Sequence, residues 1–360
     1  MTDHDDLAAL QDQCTRTFRG HGKHTAVSML ATIPADTKLD VYGQGGVVAD
    51  LEAEICRLLG KPAAVFLPSG TMAQQAVLRV HADARGRRTV VFHPMCHLHQ
   101  HEEQGYQRLH GLIGRPAGDR DRLITLDDLT PIAEPPAALL IELPQRDIGG
   151  QQPVFDDLIA QVAWARERGA AVHLDGARLW ESAAGYERPA AEIAELFDTV
   201  YVSFYKGIGA LPGCCIAGPA DVVAQVREWR RRMGGSLFGM WPSAASALAC
   251  LAVRLPRFPA YLEQARAIAA AMADVPTVTV IPDPPQTPMM HMLLRVSKDG
   301  FAAAARRLAK ERGIWVPPDC MSTADPATQR IELSVGDGTM EFEPAELAEI
   351  FAGLTGLTGS

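Results

Sequence analysis

Short apolar runs alternate with longer amphipathic segments from about Asp50 onward. This alternation is typical of βαβ units, in which crossover helices cover a parallel sheet. The apolar runs predict strands over Ala63 to Leu67, Thr89 to Phe92, Ala137 to Glu142, Ala170 to Asp175, Thr199 to Phe204 and Cys214 to Ala217. Helices are predicted over Val48 to Leu59, Thr71 to Ala82, Val154 to Glu167 and Ala220 to Met233. The core is therefore expected to be an α/β unit with a mostly parallel sheet.

The pattern changes after about Pro256, where strands and helices no longer alternate regularly. Helices are predicted over Tyr261 to Met272, Phe301 to Arg312 and Pro344 to Leu354, and strands over Thr277 to Ile281, Met290 to Val296 and Gln329 to Val335. This part is expected to be a small C-terminal α+β domain. The sequence thus predicts an N-terminal segment (1–39), a large domain (40–255) and a small domain (256–360).

Composition limits the kinds of partner. The 360 residues are 47% hydrophobic and 21% charged, with a formal net charge of −9, so the chain has enough apolar material for a large core. A nucleic-acid-binding surface needs excess positive charge, which this chain lacks. The one basic cluster, at Arg227, Arg230, Arg231 and Arg232, is interpreted as a solvated helix face.

Location and redox state are also constrained by the sequence. The N-terminal residues are acidic without an apolar core typical of secretory signals, and no apolar run is long enough to span a membrane. The seven cysteines are an odd number and form no Cys-x-x-Cys pair, so reduced and mostly buried thiols are expected. These features predict a cytoplasmic protein.

Two residues placed directly after apolar strands indicate a specific chemistry. Lys206 follows the predicted strand in TVYVSFYKGIGA, and Asp175 ends the predicted strand in AAVHLDGARLW, 31 residues earlier. That separation leaves room for one crossover helix, so both side chains are expected in one crevice beyond the carboxyl ends of parallel strands. A lysine amine can form a Schiff base with an aldehyde, and a carboxylate can keep a pyridine nitrogen protonated. The pair therefore indicates pyridoxal 5'-phosphate.

Further residues could hold such a cofactor and its substrate. Ser69, Gly70 and Thr71 lie between a predicted strand and a predicted helix, where free backbone N–H groups bind phosphate. Ser203 could supply another hydroxyl to the phosphate. Arg178 could pair with Asp175, contact the cofactor or bind a substrate carboxylate through its planar fork.

Four histidines, His93, His97, His99 and His101, occur within one short segment. Their spacing matches no common structural zinc pattern, and no cysteine pair is nearby, so no metal site is predicted. One of these histidines is better interpreted as an imidazole that stacks on a cofactor ring and can accept or donate a proton.

These motifs together resemble the threonine aldolase and β-eliminating lyase family. The segments YGQGGVVADLE, FLPSGTMAQQ, the His97 region, HLDGARLW and YKGIGALPGCCIAG occur in the family's order and spacing, over roughly residues 40 to 250. The resemblance implies the aspartate-aminotransferase-like fold, known as fold type I, and a homodimer or homotetramer with its sites at the subunit interface.

The resemblance also implies a role for individual residues. Lys206 would carry the cofactor as a Schiff base, Asp175 would face the pyridine nitrogen, and His97 would stack on the ring. Gly70 and Thr71 would contact the phosphate, and Arg178 would lie beside cofactor and substrate. Tyr42 would reach in from a neighbouring subunit.

Three positions depart from the family pattern. Gln145 stands where such aldolases have a histidine directed at the substrate hydroxyl, and Phe238 stands where an arginine is expected. The arginine that grips the substrate carboxylate aligns with Glu332, although Arg330 lies two residues away on the same strand face. Substrate contacts are therefore predicted at Tyr42, Arg178, Gln145 and Arg330.

The favoured reaction is cleavage of a threonine-like β-hydroxy-α-amino acid to glycine and an aldehyde, with His97 as the base at the hydroxyl. The alternative is β-elimination on a Cys-, Ser- or Trp-like amino acid, which needs no histidine at position 145. A catalytically silent cofactor-binding protein is the third hypothesis. A nicotinamide oxidoreductase is disfavoured because no Gly-x-Gly-x-x-Gly follows a strand with an acidic residue about 20 positions later.

Overall fold

The computed structural model describes residues 3–18, 20–318 and 320–356. It contains two compact units, one formed by residues 26–256 and the other by residues 1–25 together with 257–360. The helices are α1 (Asp3–Gln13), α2 (Ala26–Leu30), α3 (Gly46–Leu59), α4 (Gly70–Arg85), α5 (His97–Gln100), α6 (Gly105–Arg108), α7 (Leu126–Leu129), α8 (Phe155–Glu167), α9 (Leu179–Tyr186), α10 (Ala190–Glu195), α11 (Ala220–Arg232), α12 (Trp241–Arg254), α13 (Phe258–Met272), α14 (Lys298–Arg312) and α15 (Pro344–Leu354).

The strands are β1 (Arg16–Thr17), β2 (Ala63–Leu67), β3 (Thr89–Phe92), β4 (Ile113–Pro116), β5 (Ala138–Glu142), β6 (Ala171–Gly176), β7 (Thr199–Ser203), β8 (Cys214–Gly218), β9 (Val278–Ile281), β10 (Met289–Arg295), β11 (Ile314–Trp315), β12 (Met321–Ser322) and β13 (Thr328–Ser334). Three 3₁₀ turns lie at Arg146–Ile148, Leu255–Arg257 and Thr339–Glu341.

The larger unit is built on a seven-stranded sheet with the strand order β2-β8-β7-β6-β5-β3-β4. Strands β3 to β7 pair in parallel, whereas β8 runs antiparallel to both β2 and β7. The expected mostly parallel α/β core of fold type I is confirmed.

Burial explains why the central strands could be recognised as apolar runs. Every residue of β3, β5, β6, β7 and β8 is buried. A parallel sheet covered by helices on both faces has no solvated face, so its strands lack alternating polar residues. Polar side chains inside these strands, such as Asp175, are therefore exceptions that need a partner or a function.

Two of the differences from the sequence-based expectations concern the region between β6 and β7 and the basic cluster in α11. Between β6 and β7 the chain forms two short helices, α9 and α10, rather than one crossover helix. The basic cluster in α11 is also not entirely solvated, because Arg230 is only 2% exposed and its Nη1 donates to Phe66 O at 2.7 Å. Arg227 pairs with Glu52 (2.9 Å).

The smaller unit has its own four-stranded antiparallel sheet, in the order β12-β13-β10-β9. Helices α13 and α15 pack against each other in this unit, and β1 pairs in parallel with β11. Within the described residues, no helix combines the length and apolar character needed to cross a bilayer.

Candidate active site

Three polar side chains form a row across neighbouring strands of the large sheet. Glu142 on β5 pairs in register with Asp175 on β6, which pairs in register with Tyr201 on β7. Residues directly opposite on adjacent strands point to the same face of a sheet. All three are buried, with 8%, 2% and 3% of their surface exposed. The row lies near the carboxyl ends of the strands, where ligands bind in open α/β sheets.

Lys206 lies three residues beyond the end of β7 and adds an amine to this region. Burial lowers the pKa of the Lys206 amine, the carboxylate of Asp175 opposes this effect, and the positive charge of Arg178 reinforces it. The Nζ atom lies 6.0 Å from the centre of the Tyr205 ring. A larger neutral fraction makes the amine a better nucleophile toward a carbonyl carbon.

Asp175 provides the acidic group next to this amine. Its Oδ1 accepts a hydrogen bond from the backbone N–H of Ala177 at 3.2 Å. Burial raises the pKa of Asp175, while the positive charges of Lys206 and His97 act in the opposite direction. The sequence-based expectation that Asp175 and Lys206 share one region is consistent with this mutual interaction.

His97 begins α5 and is held by two buried carboxylates. Its backbone N–H donates to Glu142 Oε2 at 2.8 Å, and its ring Nδ1 lies 3.3 Å from Glu102 Oε1. Glu102 also accepts a hydrogen bond from Gln75 Nε2 at 3.3 Å. The hydrogen bond to Glu102 raises the pKa of the His97 imidazole, against the effect of burial.

Glu102 was missed by the sequence reasoning because it stands in a strongly polar segment, HLHQHEEQ, where a carboxylate is normally solvated. It is only 5% exposed. The one available signal was its position five residues after His97. Its hydrogen-bond partner Gln75 lies on α4, and no local sequence pattern reveals this contact.

Glu142 connects His97 to the loop that follows β5. Its carboxylate accepts hydrogen bonds from the backbone N–H groups of His97 and Arg146 (3.1 Å) and from Gln145 Nε2 (3.3 Å). Burial, reinforced by the charge of Asp175, raises the pKa of Glu142 to about 7. Gln145 Nε2 also donates to Met95 O at 3.0 Å. Gln145, proposed from the sequence as a substrate contact, is therefore turned into the protein, where it supports Glu142.

The first turn of α4 contains the residues of the predicted phosphate-binding site. Ser69 caps the helix in an extended conformation, and its hydroxyl accepts from Met72 N at 3.5 Å. The first backbone N–H groups of a helix lack partners within the helix and point toward an anion. At Gly70 an added Cβ would lie 2.2 Å from Tyr201 Oη, so only glycine fits. Thr71 follows it in the same turn.

Two further predicted residues lie near Asp175: Ser203 contacts the turn that follows it, and Arg178 is three residues later in the chain. Ser203 ends β7, and its hydroxyl donates to Ala177 O at 3.0 Å, which ties β7 to the turn after β6. Arg178 precedes α9, and its Nη1 donates to Glu181 Oε1 at 3.3 Å. The Arg178 side chain is only 11% exposed, which suits a cation that meets its ligand inside a crevice.

Tyr42 and Arg330 contact residues of their own units. Tyr42 is 53% exposed; its ring meets that of Phe238 edge to face, with centroids 5.5 Å apart, and its N–H donates to Phe238 O at 2.9 Å. Arg330 belongs to the smaller unit, where its Nη2 lies 3.5 Å from Met321 Sδ.

The other histidines of the His93–His101 segment have separate partners. His93 Nε2 contacts Arg122 O at 2.8 Å, His99 Nδ1 contacts the Tyr106 hydroxyl at 3.0 Å, and His101 Nε2 contacts Asp147 Oδ2 at 2.7 Å. Across the part of the chain that the structure describes, no three His, Cys, Asp or Glu side chains are grouped to hold a metal ion.

The assembled residues fit pyridoxal phosphate. The cofactor carries an aldehyde, a basic ring nitrogen and a phosphate, which need an amine, an acid and an anion seat. Lys206 and Asp175 supply the amine and the acid. Burial lowers the pKa of Lys206 and raises that of Asp175, and each shift favours the neutral form of the group. The glycine-bearing start of α4 supplies the anion seat.

Comparison with known proteins agrees with this chemistry. A family model described as beta-eliminating lyase matches residues 22–296. A solved structure from Exiguobacterium sp. 255-15, provisionally assigned as an aromatic amino acid beta-eliminating lyase/threonine aldolase, is 37% identical. The match has a TM-score of 0.91 and covers 98% of this chain and 99% of that chain.

Two further relatives carry aldolase names. A structure from Listeria monocytogenes EGD-E, provisionally assigned as an L-allo-threonine aldolase, is 36% identical with a TM-score of 0.91, and the match covers 98% of each chain. The low-specificity L-threonine aldolase 1 of Arabidopsis thaliana is 26% identical over 295 residues, which are 78% of this chain and 81% of that protein.

Proposed function

Because the chain belongs to the beta-eliminating lyase family, we propose that it is an aldolase that uses pyridoxal 5'-phosphate to cleave a threonine-like β-hydroxy-α-amino acid. The products are glycine and an aldehyde. The observation that supports this function most strongly is the electrostatic interaction of Lys206 with the buried carboxylate of Asp175 at the carboxyl edge of the parallel sheet. Members of this family are pyridoxal-phosphate-dependent lyases.

The proposed cofactor contacts follow from the residues around that pair. When bound, pyridoxal phosphate withdraws electrons from the substrate Cα into its ring. Lys206 holds the cofactor covalently between turnovers, and Asp175 keeps the ring nitrogen protonated. The N–H groups of Gly70 and Thr71, with the hydroxyls of Ser69 and Ser203, bind the phosphate. His97 covers the face of the ring, in an orientation fixed by Glu102.

The substrate needs a cation for its carboxylate and a base for its hydroxyl. Arg178 is the proposed carboxylate contact, since it is largely buried and its charge acts on Lys206. Arg330 remains a proposed second contact. As the Cα–Cβ bond breaks, the β-hydroxyl must lose its proton so that its C–O bond can become the aldehyde carbonyl. The base suggested by the sequence is His97.

A direct test is to supply L-threonine and L-allo-threonine to the purified holoenzyme and to quantify glycine and acetaldehyde. The proposal predicts equal amounts of the two products. Release of pyruvate and ammonia from serine or cysteine, without cleavage of any β-hydroxy-α-amino acid, would refute the aldolase function.

Elimination is the second candidate function, because one observation favours it. The loop after β5 presents no histidine at position 145, and the amide found there is bonded inside the protein to Met95 and Glu142. A β-eliminating enzyme expels a leaving group from Cβ and does not deprotonate a β-hydroxyl, so this loop is compatible with elimination. The serine and cysteine assays decide between the two.

We also propose that the chain forms a homodimer or homotetramer in which Tyr42 reaches a neighbouring subunit's site. Large apolar side chains near Tyr42 are exposed, Leu39 by 64%, Val41 by 55% and Phe238 by 72%, which is typical of surfaces that bind another protein. Mixing the inactive variants Lys206→Ala and Tyr42→Ala tests shared sites. Activity returns in the mixture only if one subunit supplies Tyr42 to the lysine of another.

A cytoplasmic location is the last part of the proposal. It is supported by the absence of disulfides among the described cysteines, five of which are buried thiols. Fractionation of the native host would test it.

A further inference from the structure

A second imidazole lies beside His97, on the residue that directly follows the short helix α5. His101 follows His97 by four residues, and its backbone N–H donates to His97 O at 2.9 Å. The helical spacing brings the two rings to a centroid separation of 5.2 Å. The His101 side chain is 41% exposed, so its ring is accessible from solvent.

His101 is oriented by a carboxylate from a different loop. Its Nε2 lies 2.7 Å from Oδ2 of Asp147, whose side chain is only 13% exposed. A carboxylate accepts hydrogen bonds, so in the neutral form of His101 the hydrogen is placed on Nε2 and the lone pair on Nδ1. A histidine held in one tautomer by a carboxylate is the usual arrangement for a general base.

The loop that carries Asp147 is firmly anchored at the site. Glu142 accepts the backbone N–H of Arg146 at 3.1 Å, and Gln145 N donates to Gln151 O at 2.8 Å. The positive charge of Arg146 acts on Lys206, and the His97 imidazole interacts with both Lys206 and Asp175. Each member of the His101–Asp147 pair thus neighbours a residue whose charge acts on the Lys206 amine, His97 in one case and Arg146 in the other.

Resting on the proposed aldolase function, we infer that His101 is the base that accepts the proton of the substrate β-hydroxyl and that Asp147 positions it. The proton passes to Nδ1 of His101 while the Cα–Cβ bond breaks and the C–O bond becomes the aldehyde carbonyl. Cα then takes up one proton, which gives glycine and leaves the atoms balanced. In this assignment the neighbouring His97 serves mainly as the surface over the cofactor ring.

The first test compares two reactions of the same holoenzyme, threonine cleavage and exchange of the glycine α-proton with D₂O. Only cleavage requires a base at a β-hydroxyl. We expect His101→Asn to lower kcat for threonine by about 100-fold, the scale of general base catalysis, and to leave glycine exchange within about threefold. Asp147→Asn should lower cleavage by about tenfold. Glu103→Gln removes a neighbouring exposed carboxylate and serves as the matched control for charge.

The second test does not depend on activity. In the cofactor-free protein, ¹⁵N NMR of the His101 ring should show the Nε2–H tautomer, and Asp147→Asn should reduce its population.

In the kinetic test, normal threonine cleavage by His101→Asn would overturn this inference alone, as would equal loss of cleavage and exchange. A wild-type holoenzyme that exchanges glycine but cleaves no β-hydroxy-α-amino acid would overturn the proposed function and this inference together.

Discussion

Nδ1 of His97 lies 3.3 Å from Oε1 of Glu102, a carboxylate that is almost completely buried. The carboxylate fixes the plane of the ring and favours its charged form, which is why the pKa of His97 is raised despite burial. Gln75 of α4 fixes the carboxylate in turn (3.3 Å). The helix proposed to bind the phosphate thereby also orients the residue proposed to cover the cofactor ring.

Replacing Glu102 by Gln should therefore lower the pKa of the His97 imidazole, because the hydrogen bond that favours the charged form becomes neutral. NMR titration of the His97 ring should show protonation at lower pH than in the wild type. The loss of orientation should lower kcat by about tenfold, in line with the loss of a hydrogen bond to a charged group. An unchanged titration of His97 in this variant would contradict the assigned contact, and Glu103→Gln is the control.

Replacing Gly70 by Ala should weaken pyridoxal phosphate binding by tenfold or more, on the order expected when a forced contact distorts an anion seat. The new Cβ would lie 2.2 Å from the Tyr201 hydroxyl oxygen and 3.0 Å from the ring carbon behind it. Adding Tyr201→Phe removes the nearer atom, so the double variant should bind the cofactor better than Gly70→Ala alone. Absorbance titration measures both, and a double variant that binds no better would disprove the steric explanation.

Replacing Arg178 by Ala should raise KM for threonine by about 10- to 100-fold, since a charge-assisted hydrogen bond to the substrate carboxylate is lost. The effect on kcat should be smaller. Arg232→Ala, which removes an exposed arginine paired with Glu228, is the control and should leave both constants unchanged. Steady-state kinetics that show an unchanged KM would remove Arg178 from this role.

A buried chain of hydrogen-bonded polar side chains connects α4 with the strands that carry Asp175 and Tyr201, and it should make the free energy of unfolding depend on pH. The Thr199 hydroxyl contacts His81 Nε2 and His173 Nδ1, each at 2.8 Å, and His173 Nε2 contacts Gln74 Oε1 at 2.6 Å. Burial lowers the pKa of His81 to about 4 and that of His173 to about 3.

In the folded protein both histidines are neutral, whereas in the unfolded chain they take up protons near pH 6.5. Their contribution to the free energy of unfolding is therefore fully present above about pH 6.5 and is lost as the pH falls toward 4. At pH 5 each histidine should cost about 2 kcal/mol in the free energy of unfolding relative to pH 7.5. Urea unfolding of His81→Gln should therefore show a pH dependence smaller by about that amount. An equal pH dependence in wild type and variant would exclude His81 as a source.

The central strands and the residues at their ends could be predicted from the sequence. The strands are buried on both faces, so they appear as continuous apolar runs, and a polar residue at the end of such a run, like Asp175, stands out. Parallel pairing then brings ends of neighbouring strands together, which is how Asp175 and Tyr201 come into register. The division into an N-terminal segment (1–39), a large domain (40–255) and a small domain (256–360) stays a prediction.

Contacts between distant segments could not be predicted. Glu102 and Arg230 look like surface residues because their partners, Gln75 and the Phe66 carbonyl, come from other elements. His101 and Asp147 are 46 residues apart, and their pairing depends on the loop anchored by Glu142. Charged residues give no periodic signal of burial, so only the assembled fold shows which of them are held at the site.

The most direct test of the central claim is chemical trapping of the cofactor on the protein. Borohydride reduction of the holoenzyme, followed by peptide mapping, should place the pyridoxyl group on the peptide that contains Lys206. Lys61 is the internal control, since burial also lowers its pKa, yet its Nζ donates to Phe197 O at 2.6 Å and it precedes β2 rather than following a strand. Labelling of Lys61 or of another amine in place of Lys206 would contradict the account.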